Sequence, residues 1–167
     1  MIGEFHLVIG NKMWDQVSQY YLPWSLGILL SLVLLWMCLR RPRLGQRLFG
    51  LLFLLGGIGQ VYLAWIYPRD YLVFGQFTFS SIYRRFIYMI LFRQAIWMGG
   101  LLVIFHFYLA YVFWTFNQPK KIPYLLALIW MVLLAPMGFG SAFPATVILG
   151  IALYTLWGNR QNRAEEL

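Results

Sequence analysis

The run from Gln94 to Phe116, QAIWMGGLLVIFHFYLAYVFWTF, constrains this chain more than any other stretch. It is apolar for long enough to cross a bilayer, and it holds one ionisable residue, His106, near its middle. About 20 apolar residues at 1.5 Å rise per residue cover a hydrocarbon core of roughly 30 Å, so the spacing predicts a membrane helix. Gly99, Val103, Ala110 and Phe113 fall three, four or seven residues from His106 and share its face. In membranes a face with small residues packs on neighbouring helices, and the imidazole is expected to point into a bundle rather than at lipid.

The rest of the chain is of the same kind. Of 167 residues 62% are hydrophobic and 11% charged, with a mean hydropathy of +0.70, more apolar surface than one soluble core can enclose. The expected fold is all-α, a polytopic transmembrane helix bundle forming a single domain over residues 1–167. Five spans, at about 20–39, 46–67, 94–116, 124–136 and 143–157, are preferred to four. Pro23 suits the first turn of the first span, and Arg40 and Arg41 follow its apolar run, on the wrong side for a cleaved secretion signal. The second span repeats Gly50, Gly57 and Ala64 every seven residues, a face that a neighbouring helix can approach closely. Gln60 lies at the edge of that stripe, where a buried amide needs a partner, read first as interhelical glue; its depth differs from that of His106 by roughly 6 Å, which counts against a pairing of the two. Residues 68–93 are too charged to span and too apolar to float free. They are expected to rest at the interface as a surface helix or lid, with Arg84 and Arg85 contacting lipid headgroups. APMGFGSAFP, Ala135 to Pro144, breaks the last apolar stretch into a hairpin.

The formal charge of +8 resides at the ends of apolar runs, so it reads as topology and not as nucleic-acid binding. RRPRLGQR, Arg40 to Arg47, and Lys120 and Lys121 are expected in the cytoplasm. The N-terminus is then outside and the C-terminus cytoplasmic, at the cell membrane, although Arg69, Arg84, Arg85 and Arg93 fall on the outer side. The expected partners are the lipid bilayer and either another membrane protein or further copies of this chain. Cys38 is the single cysteine, which excludes an internal disulfide and a CxxC pair; it is read as a small buried hydrophobe.

Chemistry has few carriers. The carboxylates are Glu4, Asp15, Asp70, Glu165 and Glu166, all outside the expected spans, so no carboxylate relay crosses the membrane. Haem held by two histidines would require His6, a poorly placed N-terminal residue, and a metal needs three or four ligands. No catalytic residue and no metal ligand is assigned. The first reading of His106 is a structural hydrogen bond. The second is contact with a quinone or lipid, for which His106 and Gln60 are the candidate polar groups.

LFGLLFLLGGIGQVYLAW (Leu48 to Trp65), YPRDYLVFG (Tyr67 to Gly75) with the later SSIYRRF, the third span, and LLALIWMVLLAPMGFG (Leu125 to Gly140) together resemble the DoxX and DoxX-like group of small bacterial membrane proteins. The likeness covers about Arg47 to Trp157 and leaves the first span as an extension. It implies a compact bundle with a loose link to redox or respiratory chemistry, in a group whose members mostly have no assigned activity. Many of them carry a carboxylate in the third-span position that His106 occupies here. The function expected is that of a non-catalytic partner or anchor in a membrane assembly. A quinone-binding or redox accessory protein is the alternative, and a small-solute or lipid transporter, which should show internal repeats, comes last.

Overall fold

The computed structural model describes residues 21–22, 24–78, 80–115, 121–136 and 143–165. The N-terminal segment with His6, Pro23, Lys120 and most of the Gly-Pro break at 135–144 lie outside them. Among the described residues the chain is all-α, with no strand. Its helices are α1 (Trp24–Arg40), α2 (Pro42–Val61), α3 (Asp70–Gln76), α4 (Ser81–Phe86), α5 (Ala95–Thr115), α6 (Lys121–Leu134) and α7 (Ala145–Glu165). Two π-helical turns, Tyr62–Ile66 after α2 and Ile87–Leu91 after α4, flank the α3–α4 pair.

The basic stretch forms a corner instead of a loop. Arg41 alone separates α1 from α2, and Pro42 stands at the start of α2, where its missing amide costs nothing and its fixed φ suits a helix. The second apolar helix therefore begins at 42 and not at 46. The corner closes because position 45 has no side chain. A β-carbon on Gly45 would lie 2.7 Å from Cys38 Sγ and 2.9 Å from the Cys38 Cα, and Cys38 is fully buried.

α2 and α5 are the central pair, and the seven-residue repeat of small side chains brings them together. They run antiparallel. Gly50 faces the backbone of Ala110 and Trp114, Gly57 faces His106 and Phe107, and Ala64 faces Gly99. The main core continues outward from this seam, with Phe49 and Phe53 of α2, Leu109 and Phe113 of α5, Tyr124 and Met131 of α6, Leu153 of α7 and Leu34 of α1. Rings of Phe49, Phe53 and Phe113 lie 5.7 to 6.4 Å apart between centroids, in tilted geometries favoured by their quadrupoles. Gln46 Nε2 donates to the Phe113 carbonyl at 2.9 Å, and the Trp24 indole donates to the Phe143 carbonyl, which ties α1 to the start of α7.

Residues 68–93 are a short helical hairpin whose Tyr71, Ile87 and Leu91 form a small core with Ala95 of α5. Asp70 opens α3 in its first turn, where the helix dipole favours its charge, and Arg84 and Arg85 stand on α4 just before it runs on into the π turn. The Tyr88 ring covers Gly75, where a β-carbon would collide with it. α7 continues as helix past Trp157 to Glu165, so the C-terminal basic residues extend the last helix.

Among the described residues two helical rods are long and apolar enough to cross a membrane, Pro42–Ile66 with 25 residues and Ala95–Thr115 with 21. At 1.5 Å per residue they reach about 37 and about 31 Å, the latter close to a hydrocarbon core. Trp24–Arg40, Lys121–Leu134 and the Ala145–Asn159 part of α7 are apolar but shorter. The outer face of α5 is greasy: Trp97, Leu101 and Ile104 are 79, 63 and 68% exposed, which is more contiguous apolar surface than water tolerates well.

Candidate ligand pocket

A cavity of about 530 Å³ lies between the α3–α4 hairpin and the bundle. The end of α2 and its π turn contribute Gln60 and Leu63, the hairpin contributes Tyr71, Phe74, Tyr83 and Phe86, α5 contributes Met98 and Leu102, and α6 contributes Trp130 and Leu133. The lining is thus apolar and aromatic with a few polar tips, the usual make-up of a small-molecule site. Ile82 at its rim is 77% exposed. The cavity therefore opens at the protein surface beside the hairpin.

Gln60 is the polar residue from a long apolar helix in this wall. Its Oε1 accepts a hydrogen bond from the Tyr71 hydroxyl at 2.8 Å, and Tyr71 is 2% exposed. The oxygen of the amide is thereby committed to the protein, and its Nε2 has no protein partner among the described residues. Gly99 makes the contact possible, since a β-carbon there would stand 3.2 Å from the Tyr71 hydroxyl and would also collide with Ala64. Burial pushes the Tyr71 phenol up to about 12. It stays protonated and able to donate at any ordinary pH.

His106 is 6% exposed and points into the bundle. Its Nδ1 lies 2.7 Å from the Leu102 carbonyl one turn back, a contact that assigns the proton to Nδ1 in the neutral ring. The ring fits against Gly56, where a β-carbon would approach Cδ2 to 2.9 Å, and it meets Trp130 edge-on at 5.3 Å and 88°. It does not line the cavity. It stands one layer behind, with Leu102 and Trp130 between it and the space. Gln60 and His106 are thus separate, as their depths require, and Gln60 alone of the two reaches the pocket.

No known family, characterised protein or solved structure matches this chain.

Arg84 and Arg85 are both exposed on α4. Arg84 also donates to the Thr78 carbonyl at 3.3 Å, and the Thr78 hydroxyl donates to the Pro136 carbonyl at 3.1 Å, so the hairpin is fastened to the end of α6. Sequence reasoning misses Tyr71, Trp130 and Gln46. Tyr71 reads as one more interfacial aromatic and Trp130 as packing. Gln46, 4% exposed, is hidden in the sequence by the arginines around it. Among the described residues no three histidine, cysteine or carboxylate side chains gather as a metal site would need.

Proposed function

We propose that this chain is an integral membrane protein of DoxX-like type, a five-span bundle that acts without chemistry of its own as a component of a membrane assembly. In this reading it draws an apolar ligand from the bilayer into the cavity beneath α3 and α4. Five spans require α1, α6 and the apolar part of α7 to cross as well. The 14 residues of α6 reach only about 21 Å, and the 3-10 residues Ala135 and Pro136 lengthen it slightly. The N-terminus is then outside and the C-terminus cytoplasmic, because the charged corner at Arg40 to Arg43 holds that end of α1 and α2 inside. Arg84 and Arg85 sit at headgroup level on the opposite side.

The observation that carries the ligand reading is the cavity itself. Its volume corresponds to about 18 water-sized atoms, enough for a ring system or a single lipid chain. The exposed Ile82 at its rim gives entry from the acyl region rather than from water. Native mass spectrometry of the protein extracted from its own membrane with polymer-bound lipid tests both halves. The expected result is a stoichiometric partner together with a retained small apolar molecule that is lost in the cavity-filling variant Leu102→Trp. A lone protomer without any retained molecule would refute the reading.

A further inference from the structure

We infer that the pocket selects an uncharged, flat molecule carrying a hydrogen-bond acceptor such as a carbonyl oxygen, and that Gln60 is the residue that recognises it. This rests on the ligand-pocket reading above and adds to it the chemical class of the ligand.

The argument begins with proton counting. A phenol has one proton to give, and Tyr71 gives it to Gln60 Oε1. One lone pair of the amide oxygen is taken up within the protein, and the two N–H bonds of Nε2 are the amide's donors in a wall that is otherwise mostly hydrocarbon. Trp130, in the same wall, carries an indole N–H that can donate and cannot accept. The Tyr83 hydroxyl in the same wall can do either, so the groups that can only donate, Gln60 Nε2 and the Trp130 indole, set the preference of the cavity. In an apolar site an unmatched donor is costly, and a ligand with an acceptor relieves that cost where a plain hydrocarbon does not.

Charge is excluded by the same wall. No charged side chain is among the described residues that line the cavity, so a carboxylate or ammonium would enter without a counter-charge. Shape follows from the rings. Phe74, Tyr83, Phe86 and Trp130 offer faces and edges to a planar guest, for which stacked or edge-on contacts are favourable. Tyr71 acts as a positioning residue in this scheme. It fixes which end of the amide the cavity meets.

A matched pair of probes isolates the acceptor. Fluorenone and fluorene are flat, uncharged and nearly equal in size, and differ by one carbonyl; fluorene-9-carboxylate adds a charge. Binding of each to the full chain in lipid nanodiscs is measured by equilibrium partition, with empty discs subtracted. The expected result is that fluorenone binds about tenfold more tightly than fluorene, the ratio one hydrogen bond gives, and that the carboxylate does not bind. Gln60→Leu is expected to bind both neutral probes equally. Gln60→Met, which keeps the length and removes the donors, is expected to lose the preference as well. Tyr71→Phe frees the amide to turn and is expected to reduce the ratio severalfold without abolishing fluorene binding. Equal binding of fluorenone and fluorene by the parent protein would overturn the inference while leaving the pocket intact. Binding of no neutral probe at all would instead remove the pocket reading on which it rests. Because the parent protein alone distinguishes these results, a variant that fails to fold does not rescue the idea.

Discussion

Replacing Gly50 with Ala measures the closeness of the α2–α5 seam. A methyl group at this position would lie 3.2 Å from the Ala110 carbonyl oxygen, 3.2 Å from the Trp114 amide nitrogen and 3.4 Å from the Trp114 Cβ. Two of these are backbone atoms, which cannot swing aside as a side-chain tip can, so the two helices must separate by a few tenths of an ångström along their length. Overpacking of this kind costs about 1 to 3 kcal/mol. Gly59 provides the internal control, because it lies on the same helix and a β-carbon there would meet nothing within 4 Å. Glycine to alanine in a helix interior stabilises by roughly 0.5 to 1 kcal/mol through backbone entropy, and that gain is common to both substitutions. The difference between the two variants therefore reports the seam alone, with Gly50→Ala expected to be about 1 to 3 kcal/mol less stable than Gly59→Ala. Reversible unfolding in mixed micelles of a mild detergent and dodecyl sulfate, followed by circular dichroism, gives both values. Equal stabilities would mean that the helices do not approach at Gly50, and the antiparallel register would fall with that result.

Three further outcomes follow from other contacts. A double-mutant cycle of Gln60→Leu and Tyr71→Phe, read by the same unfolding assay, should give a coupling of about 1 kcal/mol, typical of a neutral hydrogen bond between helices in a membrane; a coupling near zero would separate the two residues. Cys38 has no exposed surface, so a maleimide should leave the folded protein unlabelled over hours and modify it completely once unfolded, and rapid labelling in the native state would contradict the corner at Arg41. The Tyr71 phenol is raised from 10.0 to about 12 by burial, so below pH 10 its contribution to stability is whole. Between pH 10 and 12 the unfolded chain releases that proton first, and stability declines with rising pH; Tyr71→Phe should flatten that part of the profile, and an unchanged slope would show Tyr71 to be solvated.

The parts legible in the sequence are those governed by periodicity. The seven-residue spacing of Gly50, Gly57 and Ala64 announces a close-packed helix face before its partner is known, and the same spacing about His106 indicates which way the imidazole turns. The corner after α1 is harder to read because charge suggests a loop, whereas Pro42 and Gly45 act on the backbone and let the arginines ride on the first turn of a helix. The pocket is only half visible. Gln60 betrays itself as an amide in an apolar helix, but its partner lies on a separate short helix beyond Pro68, and nothing in the spacing of Tyr71 distinguishes a donor from an interfacial anchor. His106 attracts attention for its chemistry, and its place behind Trp130 depends on how α6 returns across α5, a matter of tertiary packing that local pattern does not encode.

The widened turn at Tyr62–Ile66 makes the length of the chain itself a determinant of recognition. Such a turn holds about one residue more than regular winding would, and each residue of an α-helix advances the azimuth by about 100°. A residue lost within this stretch would therefore be absorbed as a return to the ordinary coil, whereas a residue lost from the regular winding of α2 between Gly50 and Gly57 would swing everything downstream through that angle, carrying Gln60 away from the cavity. One residue taken from the regular part of α2 would thus silence the cavity as surely as the loss of Gln60.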